Sequence, residues 1–383
     1  MANFANLNLN VTPFSEPDKP LRNSYISKSR GASKFIFCGS SELMILWLKL
    51  EFGNLKEERF MASDKKPATK ATTPLHIHKP KWLKTSIPTG KTYFSIKKEL
   101  RARNLVTVCE EAKCPNIGAC WNTNTATFMV LGDTCTRACR FCNVKTGNPG
   151  GYIDTNEPLQ VAHSCQIMKL KYVVITMVDR DDLSDGGASH VAQVIRTVKN
   201  LNPGIIVELL AGDFGGNQDA LTTILATKLE VYAHNLETVA RLTPRVRDAR
   251  ASYKQSLESL YLVKDLAQGR ILTKSALMLG LGETLSEVSQ TLIDLRQKNV
   301  DLLTIGQYMR PSNKHLSVKE WVKPEVFKKL QEEGLQAGFL SVASSPLVRS
   351  SYKAKQFYEQ ALAKTLYSSS RKNSCLQDYP REI

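Results

Sequence analysis

Nine cysteines carry most of the legible chemistry of this chain, and six of them fall between positions 109 and 142. Cys135, Cys139 and Cys142 form a C-x3-C-x2-C run. Three thiolates on one short loop can take three irons of a [4Fe–4S] cube and leave the fourth iron open. An open iron can chelate a small molecule through an amino and a carboxylate group, as in S-adenosylmethionine. Electron transfer then cleaves the sulfonium and leaves a carbon radical. Cys109, Cys114 and Cys120 form a second triplet, C-x4-C-x5-C, with no fourth cysteine nearby. A second cluster there needs one more ligand from elsewhere in the chain. The competing chemistry in both places is zinc, which wants four closed ligands and in the second place would call on a distant histidine. An odd cysteine count in a chain of 383 residues does not read as a secreted disulfide framework and points to a reducing compartment.

The elements that must hold these cysteines alternate. Strand patterns are expected at 125–131, 172–176, 205–210, 231–234, 277–280 and 302–308. Helical patterns lie between them, at 161–168, 188–200, 218–227, 253–265 and 285–299. Six strands with helical crossovers imply parallel pairing and right-handed connections. The count falls short of a closed eight-stranded barrel, so an α/β fold with an open, partial (βα)6 barrel is expected, ahead of a doubly wound sheet. The first cysteine loop follows the first strand directly. Ligands bind at the carboxyl ends of parallel strands, where Asp133, Asp179, Asp182, Asp213, His234, Asn235, Gln307 and Arg310 would stand.

Composition agrees with a globular chain, with 42% apolar and 23% charged residues. Lys and Arg exceed Asp and Glu by 16, which favours acidic partners. Residues 1–60 show no sustained amphipathic period. They read either as a disordered arm or as an upstream extension preceding a true start at Met61. A transit peptide is disfavoured by Glu16, Asp18, Glu42 and Glu51. The apolar run at 43–48 is too short to span a bilayer. The tail is basic, expected to be helical over 356–366 and loose beyond 370.

The segment from Thr107 through Val144, TVCEEAKCPNIGACWNTNTATFMVLGDTCTRACRFCNV, carries both triplets. It resembles the lipoyl synthases, a family within the radical S-adenosylmethionine superfamily. The resemblance continues through VVITMVDRDDLSDGGA (173–188), AHNLETVARLTPRVRDARASYKQSL (233–257), KSALMLGLGET (274–284), LLTIGQYMRPSNKHL (302–316) and PLVRSSYKA (346–354). It covers roughly residues 79–358.

The resemblance implies a radical-generating [4Fe–4S] cluster on Cys135, Cys139 and Cys142, with S-adenosylmethionine. It implies a second, auxiliary [4Fe–4S] cluster on Cys109, Cys114, Cys120 and Ser351, the second serine of Arg349-Ser350-Ser351-Tyr352. Oxygen is a poorer ligand than thiolate for iron in a sulfide cube, so that iron can be released when the cluster is consumed. The implied reaction inserts two sulfurs at carbons 6 and 8 of an octanoyl chain bound to a lysine. Alkyl C–H bonds are too weakly acidic for a general base, hence the radical. Implied partners are octanoylated lipoyl domains of 2-oxoacid dehydrogenase E2 subunits and the glycine cleavage H protein. Reduced ferredoxin or flavodoxin is the implied electron donor. No nucleic acid and no membrane is expected as partner. The compartment is expected to be the cytoplasm, with the mitochondrial matrix as alternative.

Asp179, Asp182, Asn235, Arg247, Gln307 and Arg310 fall in matching segments and are expected to contact S-adenosylmethionine or substrate, with salt bridges and caps as the competing roles. The implied organisation is an extension (1–60), an arm with the auxiliary cysteines (61–122), the barrel (123–345), and a C-terminal segment (346–383). His163, His190 and His315 share no ligand spacing. Cys38, Cys165 and Cys375 lie outside both triplets and are expected not to be ligands. Gly118-Ala119, Gly150-Gly151 and Ala211-Gly212-Asp213 depart from the family pattern without removing a ligand. Rival readings are another radical enzyme with an auxiliary cluster, or a zinc-stabilised nucleic-acid-binding protein; the C-x4-C-x5-C triplet and the lack of a basic–aromatic stripe speak against them.

Overall fold

The computed structural model describes residues 79–84, 90–102, 107–111, 114, 116–122 and 125–375. The expectations for residues 1–60 and Met61 lie outside the described residues.

Seven parallel strands make one sheet. Among the described residues the nine strands, in chain order, are β1 (Thr125–Val130), β2 (Thr134–Cys135), β3 (Lys145–Thr146), β4 (Tyr172–Met177), β5 (Ile206–Leu210), β6 (Val231–Ala233), β7 (Leu272–Leu279), β8 (Leu302–Gln307) and β9 (Ser341–Ser344). The large sheet runs β1-β4-β5-β6-β7-β8-β9, while β2 and β3 form a two-stranded ribbon. Every pairing in the large sheet is parallel and between strands consecutive along it. A doubly wound sheet reverses its strand order at a switch point. This order never reverses, and among the described residues no pairing joins β1 to β9. That is the topology of an open, partial barrel.

Five expected strands match within a residue or so. Two departures have physical causes. β7 begins at Leu272, five residues before the apolar run suggested, because Thr273, Lys274 and Ser275 are polar yet buried. Their polar atoms are satisfied: Thr273 donates its N–H to Asp301 Oδ2 at 2.8 Å, and Lys274 Nζ meets Glu208 Oε1 at 2.7 Å. β9 was not expected at all. SVAS has little strand character by itself, and it is held by register with β8 from Leu302↔Ser341 to Ile305↔Ser344. The helix Pro324–Gln336, also unexpected, is the crossover into it.

The two faces of the sheet bury different partners. Val173, Ile175, Val207, Leu209, Leu303 and Ile305 belong to the main core with the crossover helices. The alternating positions Tyr172, Val174, Val231 and Leu302 point the other way and meet the C-terminal helix Ala354–Cys375. Ala354, Tyr358 and Ala361 recur at helical spacing on its contacting face. Tyr358 stacks at a tilt against Tyr172, ring centres 5.9 Å apart. Both faces being covered explains the near-continuous burial of the strands. Within the lumen, Glu208 accepts from Tyr172 Oη at 2.6 Å as well as from Lys274.

Candidate functional site: two cysteine triplets on one cavity

The first triplet leaves β1 through a sharp exit. Leu131 and Gly132 both have left-handed backbones, φ 68° and 86°. The β2–β3 ribbon then closes the loop, Cys135 opposite Thr146. Loops after three other strands fasten it. After β4, Asp179 C=O accepts from Thr136 N–H at 2.9 Å. After β6, Asp248 accepts from Ala138 N–H at 2.8 Å, and its own N–H points at Cys139 Sγ at 3.3 Å. After β8, His315 Nε2 meets the Cys142 carbonyl at 2.8 Å, with Ser312 Oγ on its other nitrogen. A carbonyl can only accept, so Nε2 of that ring carries a proton.

Arg137, between Cys135 and Cys139, is 5% exposed. Its guanidinium meets Asp181 at 2.8 Å, Asp213 at 2.8 Å and Asp179 at 3.6 Å. Burial, the largest single effect, would raise the Asp213 carboxyl, but the Arg137 hydrogen bond and charge together with the Gly215 N–H outweigh it and hold the pKa below the carboxylate range. Burial pushes Asp179 up to about 6, against the pull of Arg137. This cluster escaped the sequence reading; the only local signal was an arginine within the cysteine motif and an acidic run at 179–182.

The second triplet sits on short turns. Cys109 lies on the helix Val108–Glu111 and Cys120 on Ile117–Asn122. Cys114 N–H donates to Cys109 C=O at 2.9 Å. Trp121, wholly buried, stacks on Tyr93 of the helix Lys91–Ala102 at 5.1 Å. The segment that carries Ser351 comes from the far end of the chain. Asn116 Nδ2 donates to the Leu347 carbonyl at 2.6 Å. Cys109, Cys114, Cys120, Arg349, Ser351 and Tyr352 line one small cavity of about 10 Å³.

A larger cavity, about 460 Å³, opens at the carboxyl ends of the strands. Cys135, Cys139 and Cys142 line it, and so do Cys109, Cys114, Ser350 and Ser351. Met129, Leu210, Met278 and Val348 supply apolar parts of the same wall. Burial is the chief reason that every one of the six thiols is raised: Cys109 and Cys139 to about 12, Cys120 and Cys142 to about 11. Neighbouring thiols add to the rise at Cys109, Cys120, Cys139 and Cys142. Such groups ionise when a cation takes them. Among the described residues no three His, Cys, Asp or Glu side chains are arranged to hold a single metal ion. A four-iron cube asks for no such convergence, since each thiolate takes its own iron.

Of the six residues expected to contact S-adenosylmethionine or substrate, Asp179, Asn235, Arg247 and Gln307 line the large cavity. Asn235 Oδ1 is buried there without a partner, as is Thr304 Oγ1. Orphaned polar atoms on a cavity wall suit a polar ligand. Arg247 is held by Ser256 Oγ at 2.7 Å, which also meets His234 Nε2 at 2.8 Å. His234 Nδ1 faces the Ala211 carbonyl at 3.0 Å, so Nε2 is the acceptor and Ser256 donates to it. Burial lowers His234 to about 4, so it stays neutral.

The remaining three expected contacts have partners within the protein. Gln307 lines the cavity, but its amide is taken: it donates to the Leu279 and Glu320 carbonyls, both at 3.0 Å, and accepts from Val322 N–H at 2.9 Å. Asp182 does not line it; Arg180 holds its carboxylate with two bonds of 2.8 Å. Arg310 folds back onto the His315 carbonyl at 2.9 Å. The sequence could not separate these tasks, because strand-end position is the same for a ligand contact and a loop staple. His190 is paired with Glu157, and Cys165 is buried in the core.

Gly306, on β8, decides how the C-terminal segment docks. A Cβ there would overlap the Val348 carbonyl oxygen. Gly306→Ala is therefore expected to displace residues 348–351 from the cysteines. Iron per reconstituted chain should fall from about eight to about four, with the radical cluster retained. Iron analysis and Mössbauer spectra check this, and unchanged iron would refute it.

Comparison with known sequences gives the family. The profile of the radical SAM superfamily matches residues 129–295. That of the N-terminal domain of lipoyl synthase matches residues 52–114. The lipoyl synthase of Deinococcus radiodurans is 52% identical over 287 residues, 75% of this chain and 86% of that protein. The mitochondrial lipoyl synthase of Drosophila melanogaster is 54% identical over 284 residues, 73% of this chain and 75% of that one. Among solved structures, the FeFe-hydrogenase maturase HydG from Carboxydothermus hydrogenoformans superposes with TM-score 0.46 at 12% identity, covering 71% of this chain and 78% of that one. Two matched profiles and an identity above one half across most of the Deinococcus protein, over a chain that carries both cysteine triplets, place this protein in the lipoyl synthase family of radical SAM enzymes.

Proposed function

We propose that this chain inserts two sulfur atoms at carbons 6 and 8 of an octanoyl group held in amide linkage on a lysine of a lipoyl-carrier domain. The observation that carries the reading is one cavity lined by Cys135, Cys139 and Cys142 together with Cys109, Cys114 and Ser351, with apolar side chains on the same wall. When bound, a radical cluster with S-adenosylmethionine supplies hydrogen-atom removal from an unactivated carbon, and an auxiliary cluster supplies sulfur.

The chain's own residues do the rest. Cys135, Cys139 and Cys142 hold the radical cluster, and Arg137 with its three aspartates keeps their loop rigid. Cys109, Cys114, Cys120 and Ser351 hold the auxiliary cluster. Asp179, Asn235 and Arg247 orient S-adenosylmethionine; the Ser256–His234 chain fixes the arginine. Met129, Met278 and Val348, on the wall of the same cavity, exclude water and align the alkyl chain.

The carriers are the lipoyl domains of 2-oxoacid dehydrogenase E2 subunits and the glycine cleavage H protein, approached through the excess of basic residues. Reduced ferredoxin or flavodoxin is the donor of electrons. No described helix is long and apolar enough to cross a membrane. The compartment we propose is the cytoplasm, with the mitochondrial matrix as the alternative.

Anaerobic reconstitution with iron and sulfide, followed by S-adenosylmethionine, reductant and an octanoyl-lysine peptide, tests the reading by mass spectrometry. The expected product gains two sulfurs as the dithiol, and has two hydrogens fewer once it is oxidised to the cyclic disulfide. Formation of 5′-deoxyadenosine over an unchanged peptide would overturn the substrate assignment, and absence of both would overturn the chemistry.

A further inference from the structure

The first cysteine loop starts from a backbone that a leucine does not adopt freely. At φ 68° the Leu131 Cβ crowds its own carbonyl, so the surroundings must hold it there. Its N–H donates to Glu157 Oε2 at 2.9 Å, and its carbonyl accepts from Arg180 Nη1 at 3.2 Å. Both clamps are themselves fixed. Glu157 Oε2 meets His190 Nε2 at 2.7 Å. Arg180 is held by Asp182, which also accepts the Gly151 N–H at 2.8 Å. Gly187 completes the cradle: a Cβ there would run into the Leu131 methyls. Glu157, His190 and Arg180 are 9%, 7% and 1% exposed, and none of them lines the cavity.

The ties on the loop are unevenly placed. Cys139 and Cys142 are held from the loops after β6 and β8. Cys135, four residues after Leu131, is held by the exit from β1, by the β2–β3 ribbon, and on its far side by the Thr136 bonds to Asp179 and Asp181 and the Arg137 clamp, so the exit is its one tie on the β1 side. Loosening the exit would move Cys135 relative to the other two.

The geometry points to Glu157 as a positioning residue for the radical cluster, acting through the Leu131 backbone with Arg180 as its counterpart on the carbonyl. The inference rests on the assignment of Cys135, Cys139 and Cys142 to that cluster. A misplacement of about 1 Å remote from the chemistry can cost about 100-fold in rate.

Glu157→Ala and Glu157→Gln, reconstituted as the full chain, separate positioning from mere stability. Low-temperature EPR of the reduced radical cluster, with and without S-adenosylmethionine, is the readout. Glu157→Ala is expected to lose the S-adenosylmethionine-induced change and about 100-fold in 5′-deoxyadenosine formation. Glu157→Gln keeps an oxygen for the Leu131 N–H and should retain the spectral change. The auxiliary cluster's iron should be unchanged in both. Should the alanine variant fail to fold, Asp182→Asn, which loosens Arg180, is expected to weaken the same spectral response. A wild-type response in both Glu157→Ala and Asp182→Asn would overturn the inference, as would equal loss in the alanine and glutamine variants. A wild-type protein that shows no response to S-adenosylmethionine would overturn the cluster assignment itself, and the positioning role with it.

Discussion

Cys109→Ala should abolish sulfur insertion while cleavage of S-adenosylmethionine continues, whereas Cys139→Ala should abolish both. The two thiols line one cavity but belong to separate pieces of structure. Cys109 stands on a short helix bridged to β1 through Thr107↔Phe128, and Cys139 on the loop fastened by Asp248. Loss of one leaves the other's surroundings intact. Replacement of groups that merely orient a metal ligand costs 10–100-fold, so removal of a ligand should cost more than about 100-fold. Product analysis for 5′-deoxyadenosine and for the sulfur-bearing peptide, run in parallel, reads the dissociation. Both products vanishing with Cys109→Ala would mean that the triplets do not act separately, and the division of roles would fall.

Lys274→Met should lower stability by about 3–5 kcal/mol, the cost of stranding one member of a buried ion pair. Lys274 and Glu208 are 2% and 1% exposed in side chain, and Tyr172 is the other partner of the carboxylate. Methionine fills most of the lysine's volume, so the loss is electrostatic and not a packing defect. Adding Glu208→Gln removes the stranded charge and should recover most of it. Urea midpoints of the unreconstituted protein measure both. A Lys274→Met midpoint equal to that of the wild type would show that water reaches the lumen floor, contrary to the burial seen here.

Much of the architecture was legible because its causes are local. Apolar runs of strand length, spaced by amphipathic stretches, placed five strands within a residue or so and found the C-terminal half of a sixth, and their alternation required parallel pairing. The two triplets declared thiolate chemistry by type and spacing alone. Where long-range packing overrode local pattern, the reading failed. The polar start of β7 is a strand because Lys274 finds Glu208 and Thr273 finds Asp301. SVAS is a strand because β8 offers it an edge.

The site divides in the same way. Cysteine identity, spacing and the family resemblance were sequence properties, since ligand chemistry resides in the side chains themselves. That Ser351 shares a cavity with Cys109, Cys114 and Cys120 came from the resemblance, and its physical basis lies in contacts such as Asn116 with Leu347, 231 residues apart. Arg137 among Asp179, Asp181 and Asp213, and Glu157 on the Leu131 N–H, were decided only in three dimensions. Gln307 and Asp182 carried the right chemistry at strand ends but spend it on backbone and on Arg180. A sequence states which groups are available. Burial decides which of them must find partners within the protein and which are left facing the cavity, because an unpaired polar group costs free energy only where water is excluded.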